Sequence, residues 1–195
     1  MARLPSVLGT ADLPLPELCA ARIDGELMPF GDGWVPIDEP DLIGLRAEVL
    51  ARRADRDLIV ERRSAAWLLG ALVAPPDPPQ FCVPMRARIA QRVARDFSVR
   101  EVAIDDDEII TVAGLIRCTR PVRTVLDLAR DTGVDERAAI RAAAALLQTD
   151  AELADEAEDR LRSAFRLPGK VRALERLATA RAIAVTAMRQ PSETR

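Results

Sequence analysis

The densest polar chemistry in this 195-residue chain is TRPVRTVLDLARD, residues 119–131, where Arg120, Arg123, Asp127, Arg130 and Asp131 are threaded through an aliphatic run. Arg123 and Asp127 stand four apart, so on a helix they share a flank and can pair with each other. Arg120 and Arg123 also lie near the start of that helix. There the helix dipole and a guanidinium both favour an anion such as a phosphate. The first reading makes the stretch a packing device with a half-exposed charged flank; the second makes it a site.

Other chemistry is thin. DDDE at 105–108 places Asp105 and Asp107 at the D-x-D spacing that nucleotidyltransferases use to hold magnesium. No Gly-Ser precedes it on a helix to take a triphosphate, and successive acids at a hairpin tip read as a solvated turn. The chain has no histidine, which deprives a serine or cysteine triad of its usual base. Cys19, Cys82 and Cys118 are far apart with no C-x-x-C pair, which argues for free thiols and against a zinc site. The single lysine, Lys170, follows the Pro168-Gly169 break, so a restriction-type nuclease lacks its strand lysine. Neither a G-x-G-x-x-G nor a Walker loop occurs. These observations predict a protein that is not an enzyme and that carries no cofactor and no metal.

The elements that must position these residues are legible from pattern. Residues 1–15 hold two prolines and little periodicity, and read as an extended arm. PELCAARIDGE from Pro16 makes a short helix ending at Gly25. ELMPFGDGWVPID gives two short apolar stretches around Gly31-Asp32-Gly33, a hairpin signal. A short helix followed at once by a tight hairpin is the form of the second half of a winged helix-turn-helix. EPDLIGLRAEVLARR is helical, DLIVE a brief strand, and Ser64 stands as the N-cap of a small apolar helix closed by the Pro75–Pro79 cluster. QFCVPM, SVREVAI, EIITVAG and LIRCT are four strand candidates. Asp105-Asp106-Asp107 and Ala113-Gly114 mark turns between the later ones.

From Thr119 onward the chain is helical. Val122, Val125, Leu126 and Ala129 form an i, i+3, i+4, i+7 stripe expected to pack on the sheet. Helices follow at about 135–148, 149–165 and 170–188, with a break at Leu167-Pro168-Gly169. The expected fold class is α+β, with a degenerate N-terminal winged-helix element, a small, mostly antiparallel central sheet and a helical C-terminal third. The expected domains are 1–41 (arm and partial winged-helix element), 42–150 (α+β domain) and 151–195 (helical extension with a frayed tail).

Charge is distributed unevenly. Residues 1–50 carry three basic and nine acidic side chains, and residues 51–100 carry ten and five. Residues 101–150 carry six and ten, and 151–195 nine and seven. A basic middle can present a positive face on a chain of net charge −3, or its arginines can simply be solvated surface. The candidate phosphate contacts are Arg22, Arg62, Arg63, Arg86, Arg88, Arg92, Arg95, Arg120 and Arg123, with Arg100 in the same basic segment. The N-terminus MARLPSVLG lacks the apolar run of a signal peptide, and no window approaches a membrane span, which predicts a soluble cytoplasmic protein.

Three segments together resemble a known family. CAARIDGELMPFGDGWVPIDEPD looks like its winged-helix segment, and ERRSAAWLLGAL like its Ser-Ala-Ala-x-x-x-Gly helix. Residues 114–130 match a signature of Gly-Leu followed, after a short gap, by Thr-x-Pro-x-Arg-Thr-x-x-Asp-Leu-Ala-Arg. These resemble actinobacterial AbiEi-type antitoxins and transcriptional regulators over roughly residues 15–150. The resemblance implies DNA binding at a promoter and neutralisation of a nucleotidyltransferase-like toxin, as in a type IV toxin-antitoxin system. The presumed wing, LMPFGDGW, departs from the pattern in having no Arg or Lys, and its helix offers only Arg22 to a phosphate. A reading from a different class is a protein-interaction module or adaptor without DNA binding.

Overall fold

The computed structural model describes residues 5–55, 57–85, 97–133, 135–150 and 152–189. The chain divides into two compact units. One comprises Met1–Asp57 with Thr111–Ile116, the other Leu58–Ile110 with Arg117–Arg195.

In the first unit, α1 (Leu15–Ile23) starts after Pro14 with a proline in its first turn, where the missing N–H costs nothing. It ends in a Schellman turn, with Gly25 at φ +78°, the Glu26 amide donating to the Ala21 carbonyl and the Gly25 amide to that of Arg22. The antiparallel hairpin β1 (Leu27–Phe30) and β2 (Gly33–Pro36) pairs Phe30 with Gly33, leaving the two-residue turn Gly31-Asp32. Gly31 takes φ +58° at the first turn position, as a two-residue hairpin turn of primed type demands. A Cβ there would also meet Val49 at 2.5 Å. Leu8 bridges to Trp34, so the N-terminal segment adds an edge to the hairpin. Leu8, Leu18 and Leu27 form the core of this element, with Leu13, Ala21 and Trp34 packed against it. The helix α2 (Ile43–Arg53) buries Leu45, Ala47, Val49 and Leu50.

The second unit contains β3 (Ile59–Val60), α3 (Arg62–Leu68), β4 (Gln80–Pro84) and β5 (Ser98–Val102). A short 3-10 turn at Asp106–Glu108 leads into β6 (Ile109–Val112) and β7 (Ile116–Thr119). Four helices follow: α4 (Pro121–Arg130), α5 (Glu136–Leu147), α6 (Leu153–Ser163) and α7 (Lys170–Arg189). The α+β class and the helical C-terminal third are as expected from the sequence. The five-stranded sheet has the order β5-β4-β3-β7-β6 and is mixed rather than mostly antiparallel. β3 pairs antiparallel with β4, but β3–β7 and β4–β5 are parallel. Parallel neighbours need long crossover connections, which both pairs have, and strand periodicity carries no information on direction. All five residues of β4 are buried, as in a strand covered on both faces.

Two further expectations change. α3 begins at Arg62, not after Ser64; Glu61 occupies the N-cap position, and Ser64 lies inside the helix, where its Oγ accepts from the Gln80 amide at 2.8 Å. The stripe on α4 packs chiefly on helices, not on the sheet: α3, α5, α6 and α7 all lie against it. Val122, Val125, Leu128 and Ala129 join Ala139, Ala142, Ala143, Leu146, Leu161, Ala173, Leu177, Ala180 and Ala184 in one core. Alanines on α5 and α7 let helix axes approach closely, which is how a core forms in a chain with 3% aromatics. Among the described residues no helix is long and apolar enough to cross a membrane.

Candidate functional site

The feature of the second unit that local sequence least prepares for is a ladder of alternating carboxylates and guanidiniums. Its centre is Glu61, just past the end of β3 and fully buried. The Glu61 carboxylate accepts from Arg62 Nε at 2.9 Å and from Arg100 Nε at 2.6 and 2.8 Å. Arg62 Nη1 also donates to Asp131 at 3.1 Å, just past the end of α4. Arg100, on β5, sets Nη2 3.2 Å from Asp127 Oδ1, an ion pair without hydrogen-bond geometry. Asp127 accepts from Arg123 Nε at 3.0 Å, and Arg123 Nη1 reaches Glu108 at 2.5 Å. Arg160 on α6 closes the series, 3.6 Å from Glu108 and 2.9 Å from Glu156.

Each member is placed by local structure. Arg123 and Asp127 share a flank of α4 because they are one turn apart. The start of α4 is fixed by Thr124, whose Oγ1 lies 2.7 Å from that of Thr119 and donates to the Arg120 carbonyl at 3.0 Å. Arg100 stands opposite Cys82 in the β4–β5 register. Arg62 sits at φ +48°, a left-handed conformation costly for a side chain with Cβ. That conformation accompanies contacts to both Glu61 and Asp131.

Electrostatics favour a static ladder. Burial pushes Glu61 above the ordinary carboxylate range. The Arg100 hydrogen bond and charge and the Arg62 charge pull it down, and Asp127 adds to the rise. For Arg100, burial opposes the charge, but the hydrogen bond and charge of Glu61, with the charge of Asp127, outweigh it and hold the guanidinium above its usual value. Burial, then the charges of Glu61 and Asp127, pushes the Cys82 thiol up, and burial does the same for Cys118. Both thiols therefore stay protonated and are poor nucleophiles. Cys19 is exposed. Every carboxylate of the ladder already has a guanidinium partner.

The structure separates the arginines proposed from sequence. Arg62 and Arg123 are buried in the ladder, each 8% exposed. The Arg123–Asp127 pair forms as expected from its spacing, but its flank is buried, not half-exposed: Asp127 is only 3% exposed. Arg63 is half-buried, its amide donating to Gln80 Oε1 at 3.0 Å and its Nε lacking a hydrogen-bond partner. Arg22, in the last turn of α1, and Arg120, before α4, are exposed. Arg86, Arg88, Arg92 and Arg95 lie outside the described residues. The sequence reading passed over Glu61, Glu108 and Arg160. An acid closing the apolar run LIVE was the available signal for the first. Asp105, Asp106 and Asp107 are exposed around the 3-10 turn, and among the described residues no group of three potential ligands is arranged to hold a metal ion.

A family model described as the AbiEi antitoxin C-terminal domain matches residues 58–184, about two thirds of the chain. No curated protein matches it in sequence. Among solved structures, the crystal structure of RV2827C protein from Mycobacterium tuberculosis is similar over 97% of this chain and 78% of that one, at 16% identity and a TM-score of 0.46. By its match over residues 58–184, the chain belongs to the AbiEi antitoxin C-terminal domain family.

Proposed function

We propose that this protein is a non-enzymatic, DNA-associated regulator and the antitoxin of a cytoplasmic type IV toxin-antitoxin pair. Family membership over residues 58–184 is the observation that carries this reading. The ladder supports the non-enzymatic part, since its acids are ion-paired and the two buried thiols beside and near it are held protonated. In this reading Arg62 and Arg123 shape the domain. Arg22, Arg63 and Arg120, with Arg86, Arg88, Arg92 and Arg95, supply phosphate contacts, and α1 with the β1–β2 hairpin is a reduced winged-helix element. The partner that the antitoxin neutralises is a nucleotidyltransferase-like toxin.

A second reading, a protein-interaction module without DNA binding, is favoured by the first unit. There the two consecutive arginines ending α2 are held by acids, Arg52 by Asp12 at 2.5 Å and Arg53 by Asp32 of the hairpin turn. A mobility-shift titration on the DNA upstream of the gene, over a salt series, separates the two. The regulator reading expects binding that weakens steeply with salt. Absence of binding at low salt, or a salt-independent signal, overturns it in favour of the module.

A further inference from the structure

The helix α7 buries one apolar face in its own domain and leaves most of a second face exposed. Ala173, Arg176, Leu177, Ala180 and Ala184 are buried against the rest of the unit. On another face, Val171, Leu174, Ala178, Arg181, Val185 and Met188 recur at alternating spacings of three and four. That is an a/d heptad seam running the length of a 20-residue helix. Leu174 is half-buried and the others are exposed, Val171 to 71% and Met188 to 53%. The middle of the seam lines a groove of about 730 Å³ against Glu158 and Arg162 of α6. A seam of this period suits the knobs of a second helix. Of the large aliphatic side chains exposed on α7, only Ile183 lies off it.

We infer that the protein forms a homodimer by antiparallel pairing of α7 with α7 of a second copy. The charge pattern selects both partner and direction. A parallel, in-register pair would stack Arg181 on the partner's Arg181, setting like charges together at the centre. The antiparallel register brings Val171 opposite the partner's Met188, Leu174 opposite the partner's Val185, and Ala178 opposite the partner's Arg181. It is two-fold symmetric and uses all six seam positions, as an isologous interface must. Alanine facing arginine leaves room for the long stem. Glu175 then lies within one helical turn of the partner's Arg181, close enough for that side chain to reach. Arg181 is already neutralised on its own subunit by Asp155 at 2.8 Å and by Glu158, so placing it at the seam centre does not bury a bare charge.

Sedimentation equilibrium of the full chain tests this. The wild type is expected to be dimeric. Ala178→Glu and Val185→Glu, both at exposed positions, are expected to keep the wild-type circular dichroism while raising the dimer dissociation constant at least about tenfold. A wild type that stays monomeric up to about 100 μM overturns the inference, as does a dimer whose affinity both folded variants leave unchanged. Direction is read by oxidative cross-linking in a Cys19→Ser background, with cysteine placed singly at Val171 or at Met188. The antiparallel register expects a disulfide only when the two variants are mixed. A Met188→Cys protein that cross-links to itself as readily overturns it. DNA binding is not part of the readout, so this test and that of the regulator reading fail independently.

Discussion

Asp127 is the residue on which the ladder hinges, because it compensates two guanidiniums from one nearly dry position. Asp127→Ala leaves Arg123 and Arg100 short of countercharge inside the domain, and denaturant titration is expected to show a loss of about 3–5 kcal/mol. Arg160→Ala, at the solvent-exposed end of the same ladder, is expected to cost less than about 1 kcal/mol. Equal losses at the two positions would mean the ladder is not graded by burial. Glu136 gives the pH dependence. Hydrogen bonds from Arg176 and Arg172 depress its carboxyl to about 2, while burial works weakly against them. A folded value below the unfolded one means its contribution is fully present above the ordinary carboxylate value of 4.5 and is lost as pH falls from there toward 2. Thermal melts between pH 6 and pH 2 are expected to show a shallower acid decline for Glu136→Gln than for the wild type. An identical decline would remove Glu136 as a contributor.

At the scale of the element, α4 is held at both ends by groups from elsewhere in the domain. Its N-terminal turn is fastened by Thr119 and Thr124, and carbonyls around its C-terminal end are taken by Arg176 of α7. Arg176 Nη1 donates to the Asp131 carbonyl at 2.5 Å and to that of Ala129 at 3.2 Å, while its Nε holds Glu136 at 2.9 Å. Arg176→Ala strands these acceptors in a buried place and is expected to destabilise the second unit by about 3 kcal/mol. Arg176→Lys is expected to recover little, because an ammonium cannot span the same acceptors. Along the helix, Val125→Asp is expected to abolish folding of this unit, since Val125 is completely buried among helices. Leu126→Asp, at a half-buried position, is expected to leave a folded but less stable protein. Circular dichroism of the two variants compares them directly, and a stable Val125→Asp protein would place the packed face wrongly.

For the whole molecule, the sequence carries far more arginines than a surface reading can use for DNA. Arg62, Arg123 and Arg176 are consumed in the interior, and Arg46, Arg52, Arg53 and Arg100 are tied to acids. The electrostatic footprint is consequently smaller than the count of 28 basic side chains suggests. If Arg22 and Arg120 contact phosphates, replacing either by alanine is expected to lower affinity about equally on all sequences and to reduce the slope of log affinity against log salt by about one. Unchanged slopes for both variants would move the contact elsewhere.

The elements themselves were legible in the sequence, because their causes are local. Gly25 ends α1, Gly31 makes the hairpin turn, and Ala113-Gly114 both take positive φ in the turn before β7. The stripe on α4 and the Arg123–Asp127 pair follow from spacing alone. What the tertiary structure decided is which of these faces stay dry. Strand order and direction depend on crossovers that no strand's pattern encodes, and they bring Arg100 to Glu61 across 39 positions and Asp131 to Arg62 across 69. An arginine on a helix flank reads the same in sequence whether water or a buried carboxylate faces it. Only the distant partner, supplied by the fold, turned Arg62 and Arg123 from candidate phosphate contacts into interior ion pairs.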